Sequence, residues 1–159
     1  MPFTVLIDGP SGAGKTTLAT LMGEALGIQV VHLDDFYPGW SGLAEGARMV
    51  AEDVLHPTRP GFRRWDWANN RRGEWVALDP EVDLIVEGVG AVTLASLRAA
   101  HRRGDTATIR VEADAALRKR RALERDPGYA EYWDMWARQE SALELLPVDV
   151  VVRVSILRG

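Results

Sequence analysis

The sequence predicts an α/β fold in which helices cover both faces of a mainly parallel sheet. Two observations support this class: short apolar runs recur along the chain, and segments with helical spacing of apolar residues separate them. A third is the glycine-rich turn that follows the first apolar run. Alternating strands and helices are typical of parallel sheets, and strands that are apolar throughout need cover on both faces.

The first half of the chain begins with a predicted strand over residues 3–8. Apolar residues at helical spacing then predict a helix, and Gly27 ends that pattern; these residues are Leu18, Leu21, Met22, Ala25 and Leu26. Residues 29–33 form a second apolar run and are predicted as a strand. Residues 43–55 are predicted as a helix, with Pro57 beyond its end.

The second half opens with a predicted loop over residues 58–75, which are rich in proline, glycine, arginine and tryptophan. The remaining predicted strands are residues 83–86, 106–111 and 148–154. The helices predicted between them are residues 93–103, 115–125 and 132–146, and each ends close to a glycine or a proline.

The composition is that of one globular domain, which we expect to span residues 1–159. Apolar runs are far shorter than the roughly 20 residues that cross a bilayer, so no membrane association is expected. The first residues lack the basic segment of a secretory signal, and the chain has no cysteine. We therefore expect a cytoplasmic protein without disulfides or thiolate metal sites. The net charge of −4 disfavours a nucleic-acid-coating role.

The strongest functional signal follows the first predicted strand, where residues 9–16 read GPSGAGKT and fit the pattern G-x-x-x-x-G-K-[ST]. In this phosphate-binding loop, or P-loop, glycines let the backbone N–H groups surround phosphate oxygens. Lys15 is expected to reach the β- and γ-phosphates and Thr16 to ligate Mg²⁺. The predicted cofactors are thus ATP, or GTP, and Mg²⁺. The predicted nucleotide-binding residues are Gly9, Pro10, Ser11, Gly12, Ala13, Gly14, Lys15, Thr16 and Thr17.

Two carboxylates, Asp34 and Asp35, follow the second predicted strand. A kinase that acts on a neutral hydroxyl needs a base at this edge of the sheet, close to the γ-phosphate. The alternatives are solvated loop charges or a helix N-cap. The sequence patterns of signalling GTPases (D-x-x-G with N-K-x-D) and of transporter ATPases (L-S-G-G-Q) are absent from the chain.

Four segments of the chain form a recognisable set: DGPSGAGKTTL from Asp8, DDFY from Asp34, IVEG from Ile85, and the arginine-rich DAALRKRRALERD from Asp114. They resemble the uridine kinase family of P-loop kinases, within the group that holds phosphoribulokinase and pantothenate kinase. The resemblance implies a three-layer sandwich with five parallel strands in the order 2-3-1-4-5. It also implies an acceptor-binding insertion at about residues 37–76 and a lid at about residues 114–130.

By this resemblance Asp34 is the catalytic base, Tyr37 and residues 62–67 contact the acceptor, and Arg118, Arg121 and Arg125 belong to the lid. The chain is shorter than usual for the family, and residues 60–67 read PGFRRWDW where the family has phenylalanine-aspartate-histidine-proline. Asp66 is then the candidate for the acidic residue that binds ribose.

The remaining candidates have competing interpretations. Glu87 ends the third predicted strand, where a magnesium ligand or γ-phosphate sensor is usual, but a buried structural glutamate fits too. Arg118, Arg121 and Arg125 share one helical face that would close over ATP, or they form a solvated basic face. Lys15, Asp34, Arg121 and Arg125 are the predicted catalytic set, and Arg118 is assigned to the nucleotide.

A second basic cluster interleaves arginines with tryptophans around Arg63 and Trp65. A small-molecule acceptor, loop packing and single-stranded nucleic acid are considered in that order. The predicted acceptor-binding residues are Asp34, Tyr37, Arg63, Trp65, Asp66 and Glu87. No histidine is assigned a role.

Together these residues predict a kinase that transfers the γ-phosphate of ATP to a small-molecule hydroxyl, most readily on a nucleoside. A nucleoside monophosphate kinase and a nucleotide-dependent regulatory module are the alternatives. A monomer or homodimer is expected.

Overall fold

A parallel five-stranded sheet forms the centre of the molecule in the computed structural model, which describes residues 1–155. The last four residues of the predicted domain, 156–159, lie outside the described part. The sheet strands are β1 (Thr4–Asp8), β2 (Gln29–His32), β5 (Leu84–Glu87), β6 (Thr106–Ala113) and β7 (Val150–Val154). Their spatial order is β2-β5-β1-β6-β7. Counted within this sheet alone, the order is 2-3-1-4-5, so the predicted topology is confirmed.

Helices cover both faces of this sheet, as predicted. The helices are α1 (Lys15–Leu26), α2 (Leu43–Met49), α3 (Leu94–Arg103), α4 (Ala115–Arg125) and α5 (Trp133–Ala142). On one face, Val5 and Ile7 of β1 pack with Ala19 of α1. On the other, Leu6 of β1 belongs to the larger core that α2, α3 and α5 complete. Alternating side chains of one buried strand therefore serve two apolar layers.

An antiparallel hairpin lies outside the sheet and corrects the predicted loop at residues 58–75. It consists of β3 (Gly61–Asp66) and β4 (Arg71–Ala77), joined by a turn in which Asn70 has φ of 50°. Phe62 is the buried anchor of the hairpin, whereas most other side chains are exposed or half-buried. Because the buried face is so small, the sequence shows arginines and little alternation, and the strands were missed.

The structure also shifts several predicted boundaries. The second predicted helix ends as α2 at Met49 and continues as one wide helical turn, Val50–Val54. The last helix ends at Ala142 instead of residue 146, because Leu143 adopts an extended backbone while its side chain still packs on the core. Among the described residues, no helix combines the length and apolarity that crossing a membrane requires.

Candidate active site

A cavity of about 1010 Å³ opens at the carboxyl ends of β1, β2 and β5. The P-loop forms one wall, and Asp34 and Glu87 border it from the neighbouring strands. Arg121 and Arg125 of α4 line it from the side of the predicted lid. The topology thus brings the four segments that carried the resemblance to one edge of the sheet.

The P-loop depends on glycine where the backbone passes close to another segment. Gly12 has φ of +80°, and a Cβ at this position would lie 2.2 Å from the carbonyl oxygen of Arg118. Only glycine tolerates both that conformation and that approach. The loop is therefore packed directly against the first turn of α4.

Lys15 is held inside the P-loop, with 8% of its surface exposed. Its Nζ donates a hydrogen bond to the carbonyl oxygen of Pro10 at 3.0 Å. Burial lowers the pKa of Lys15, while the carboxylates of Glu87 and Asp34 act in the opposite direction. A buried ammonium in a glycine-rich loop at the start of a helix is the chemistry that binds phosphate.

Two carboxylates that the sequence analysis missed hold the P-loop in place. Asp8 Oδ1 accepts hydrogen bonds from Gly9 N at 2.7 Å and Gly90 N at 3.1 Å, and its Oδ2 accepts from Val92 N at 2.9 Å. Glu140 Oε1, on α5, accepts from Ser11 N at 3.0 Å. Asp8 was visible as the polar end of an apolar run, whereas nothing in the sequence marks Glu140, which is 129 residues from its partner.

Thr16 and Glu87 form the predicted metal-binding pair. Thr16 Oγ1 donates to Glu87 Oε1 at 3.0 Å, and that oxygen lies 2.6 Å from His32 Nδ1. Neighbouring oxygen ligands in a magnesium octahedron with bonds of about 2.0–2.1 Å are roughly 2.9 Å apart, so the two oxygens fit this ion. No group of three or more acidic or histidine side chains among residues 1–155 could hold a metal.

His32 is a contact of the site that the sequence analysis did not assign. Its hydrogen bond to Glu87 is the main reason that its pKa is raised above the usual value. The carboxylate of Glu87 is almost fully buried and is oriented from two sides, by His32 and by Thr16.

Asp34 lies in the short helical turn Leu33–Asp35 directly after β2 and borders the cavity. Enclosure by the cavity walls raises the pKa of its carboxyl group, and Glu87 adds to this effect. Lys15 and Arg125 partly oppose it. The backbone at this position is fixed from the hairpin side, where Trp67 Nε1 donates to the Asp34 carbonyl oxygen at 3.0 Å. A carboxylate with a raised pKa next to a phosphate site is suited to accept a proton.

The three arginines of the predicted lid do not share one role. Arg121 and Arg125 line the cavity, whereas Arg118 donates from Nε to the carbonyl oxygen of Ala113 at 3.0 Å and from Nη1 to that of Ser11 at 3.3 Å. Arg118 therefore joins α4 to the P-loop. Its side chain is committed to backbone oxygens, so its assignment to the nucleotide is not supported by these contacts.

The structure also separates the residues predicted to contact an acceptor. Tyr37 is a core side chain with 1% exposure at the edge of the cavity, and its hydroxyl donates to the Val89 carbonyl oxygen at 2.6 Å. Arg63, Trp65 and Asp66 lie in β3 and do not border the cavity. Arg63 bonds Gly73 across the hairpin, and Asp66 accepts from Asn69 in the turn, so both polar groups serve the hairpin.

Aromatic side chains form a further wall of the cavity, and among them Trp67 belongs to residues 62–67, which were predicted to contact the acceptor. Trp40 stacks on Tyr132, with ring centroids 4.7 Å apart and planes 6° from parallel, and Trp67 lies 5.2 Å from Trp40. All three line the cavity together with Tyr129 and Trp136. They come from the loop after β2, the hairpin and the segment after α4. Their separation along the chain explains why no local pattern revealed the wall as a whole.

Curated relatives match only part of this chain, and no family model matches it. The cytidylate kinase of Chloroflexus aggregans is 32% identical over 101 residues, which are 54% of this chain and 44% of the relative. A probable gluconokinase of Schizosaccharomyces pombe is 30% identical over 101 residues, which are 63% of this chain and 46% of the relative. The chain thus spans about half the length of the curated relatives it matches.

Solved structures match nearly the whole chain. A putative fructose transport system kinase from Silicibacter superposes with a TM-score of 0.60 at 20% identity, covering 94% of this chain and 88% of the other. A possible uridine kinase from Bacillus stearothermophilus gives 0.53 at 19% identity, covering 95% and 88%. The APS kinase of Mycobacterium tuberculosis, in complex with AMPPNP and APS, gives 0.60 at 16% identity, with 96% and 88% covered. The chain has the fold of the P-loop kinases.

Proposed function

We propose that this protein is an ATP- and Mg²⁺-dependent kinase that transfers the γ-phosphate to a hydroxyl group of a small molecule. The observation that carries the proposal is the position of Asp34. Its carboxylate borders the same cavity as a complete P-loop, and its raised pKa suits a proton acceptor.

In the proposed reaction, the acceptor oxygen forms a bond to the γ-phosphorus while the bond from phosphorus to the leaving ADP oxygen breaks. The hydroxyl proton passes to the carboxylate of Asp34. Lys15 and the arginines Arg121 and Arg125 hold the charge of the phosphates in place. Thr16 and Glu87 would hold Mg²⁺, which when bound neutralises charge on the phosphate oxygens.

The charges along the cavity favour a neutral acceptor. Besides Lys15, the cations among its described lining residues are Arg121 and Arg125, which the nucleotide would engage. Three carboxylates other than Glu87 also line it, those of Asp34, Asp126 and Glu131. A phosphate on the acceptor would meet these carboxylates without an arginine of its own. A hydroxyl of an uncharged molecule avoids that repulsion.

Within this class we infer a nucleoside. Trp40 and Trp67, both from the acceptor-binding insertion at residues 37–76, present aromatic surface to the cavity, as does Tyr132. Flat aromatic surface suits a nucleobase, which stacks on such side chains.

A nucleoside monophosphate kinase is the second candidate, because several curated relatives are cytidylate kinases. In that case an arginine outside α4 must move to the acceptor, and Arg64 of the hairpin is the arginine nearest to Trp67 in the sequence.

An ADP-release screen over nucleosides, nucleoside monophosphates and sugars, with MgATP and with MgGTP as donors, tests the proposal. We expect turnover with an uncharged hydroxyl compound and none with nucleoside monophosphates. Preferential turnover of a monophosphate would establish the second candidate. MgATP binding without acceptor-dependent ADP release across the screen would support the regulatory alternative.

A further inference from the structure

One side chain of α5 holds the loop that carries Trp40 of the aromatic wall. Gln139 Nε2 donates a hydrogen bond to the Trp40 carbonyl oxygen at 2.6 Å, and Gln139 Oε1 accepts one from Leu43 N at 3.2 Å. A carbonyl oxygen only accepts and a backbone N–H only donates, so the two partners fix the orientation of the amide group. Gln139 is not among the described residues that line the cavity, whereas Trp40 is.

The loop itself restrains its backbone weakly. Residues 38–42 read PGWSG, and glycine allows the backbone more freedom than any other residue. Gly42, which precedes α2, has no side chain to cap the helix, and the first N–H of the helix, that of the buried Leu43, bonds Gln139 instead. Gln139 therefore caps α2 and fixes the backbone of Trp40 at the same time.

The ring of Trp40 packs on the same part of the chain. Tyr132, directly before α5, stacks on it at 4.7 Å, and Trp136 of α5 lies 6.2 Å away in an edge-to-face arrangement. Trp136 is buried and also packs edge-to-face on Tyr37 of the core, with centroids 4.8 Å apart. Residues 132–139 thus position both the ring and the backbone of Trp40.

The next residue of α5 holds the P-loop. Glu140 Oε1 accepts a hydrogen bond from Ser11 N at 3.0 Å. Successive side chains of a helix point about 100° apart, so Gln139 and Glu140 reach two different loops. The aromatic wall and the P-loop are therefore attached to adjacent residues of one helix. Phosphoryl transfer requires the acceptor oxygen within about 3–3.5 Å of the phosphorus, so the relative placement of these two loops matters.

We propose that Gln139 is a positioning residue, which holds Trp40 in place as the surface on which the acceptor nucleoside stacks. The inference rests on the proposed function, because it requires a nucleobase on the aromatic wall. Gln139 acts through Trp40 and touches neither substrate. When the bond to the Trp40 carbonyl oxygen is lost, the glycine-containing loop can shift and the nucleoside loses its binding surface. The nucleotide keeps its contacts, because the P-loop is held by Glu140 and Asp8.

The test is Gln139→Glu, because it separates the two bonds of the amide. A carboxylate still accepts from Leu43 N but repels the Trp40 carbonyl oxygen. ADP release with adenosine, guanosine, cytidine and uridine in turn gives the acceptor KM and kcat, and calorimetry gives the affinity for MgAMPPNP. We expect the acceptor KM to rise roughly 10-fold, as the loss of one hydrogen bond allows. We expect a smaller change in kcat and an unchanged affinity for MgAMPPNP.

The matched control is Arg138→Gln, which alters the net charge by the same amount at the exposed neighbouring residue. Both its acceptor KM and its affinity for MgAMPPNP should equal those of the parent. Gln139→Met repeats the test without a charge. It should raise the acceptor KM at least as much as Gln139→Glu does, and should lower the urea midpoint further, because Leu43 N–H is then buried without a partner.

A double variant tests whether Gln139 acts through Trp40. Trp40→Leu removes the stacking surface and keeps the backbone carbonyl. In the Trp40→Leu background, Gln139→Glu should raise the acceptor KM no further, because the surface that it displaces is already gone. A further increase of about 10-fold in that background would overturn the proposed route.

The remaining outcomes separate this inference from the proposed function. No ADP release by the parent with any of the four nucleosides overturns the proposed nucleoside acceptor, and this inference with it. Turnover by the parent with equal acceptor KM in Gln139→Glu and Arg138→Gln overturns the Gln139 assignment alone. An equal loss of acceptor and MgAMPPNP affinity in Gln139→Glu also overturns it, because a general loosening of α5 would weaken both sites.

Discussion

Replacing Asp8 by asparagine tests whether this carboxylate organises the phosphate site. Asp8 ends β1, and its two oxygens accept three backbone N–H groups, from Gly9, Gly90 and Val92. The first belongs to the P-loop and the other two to the segment after β5. The carboxylate therefore ties together two loops, and other residues of both loops border the cavity.

The magnitude follows from the geometry of these bonds. An asparagine oxygen at the Oδ1 position can still accept from Gly9 and Gly90, but its amide NH₂ then faces the Val92 N–H, which loses its acceptor. Val92 is 3% exposed, and an unsatisfied buried donor costs about 1–3 kcal/mol. Replacing two charge-assisted bonds by neutral ones adds about 1 kcal/mol or somewhat more. We expect Asp8→Asn to lower the free energy of unfolding by about 2–4 kcal/mol.

Urea unfolding followed by circular dichroism at pH 7 measures this loss. With an m-value of about 2 kcal/mol/M, the midpoint should fall by roughly 1–2 M. Asp105→Asn is the matched control, because the Asp105 side chain is exposed. The urea midpoint of this variant should equal that of the parent. A midpoint for Asp8→Asn within about 0.3 M of the parent value would refute the reasoning.

Three further predictions concern catalysis. Lys15→Ala should have the circular dichroism spectrum of the parent but no phosphoryl transfer in the ADP-release assay, because the Lys15 ammonium binds the phosphates. Near-normal turnover in this variant would contradict the prediction. Arg121→Ala should lower kcat by on the order of 10²-fold with a smaller change in the KM for ATP, because its charge acts mainly in the transition state; an unchanged kcat makes it a surface residue. The raised pKa of Asp34 should place the acidic limb of the kcat/KM–pH profile above the ordinary aspartate value of about 4, since only the ionised carboxylate accepts a proton. A limb at or below pH 4 that is unchanged in Asp34→Asn counts against Asp34 as the base.

The strands of the central sheet and the P-loop could be predicted, because each is marked by residues that lie close together in the sequence. A buried strand such as β5 is a short apolar run, and the P-loop has a fixed spacing next to a strand and a helix. Strand order came from a family resemblance, and the structure confirms it. The hairpin was not predictable, because Phe62 is its main buried side chain and its exposed faces have no periodic apolar signal.

The residues of the candidate site also include some that the sequence predicts and some that it does not. Lys15 and Thr16 begin a helix, Glu87 ends a strand and Asp34 lies two residues after the end of β2, so topology alone brings them together. The aromatic wall and Glu140 depend on contacts between segments about 90 to 130 residues apart, such as Trp40 with Tyr132 and Ser11 with Glu140. Such contacts leave no trace in local spacing. Trp67 borders the cavity and follows the end of β3, whereas the predicted Trp65 lies within β3 and does not border the cavity.

The most direct test of the proposed function compares two neighbouring aspartates. Asp34 borders the cavity, whereas Asp35 does not border it and lies 3.9 Å from Arg64 of the hairpin. Both Asp34→Asn and Asp35→Asn should bind MgAMPPNP about as well as the parent. In single-turnover measurements with the best acceptor of the screen, Asp34→Asn should lose roughly 10²–10⁴-fold in rate, the usual contribution of a positioned base. Asp35→Asn should stay within a few-fold of the parent. Equal rates in the two variants would contradict proton transfer to Asp34, and with it the assignment of a hydroxyl acceptor.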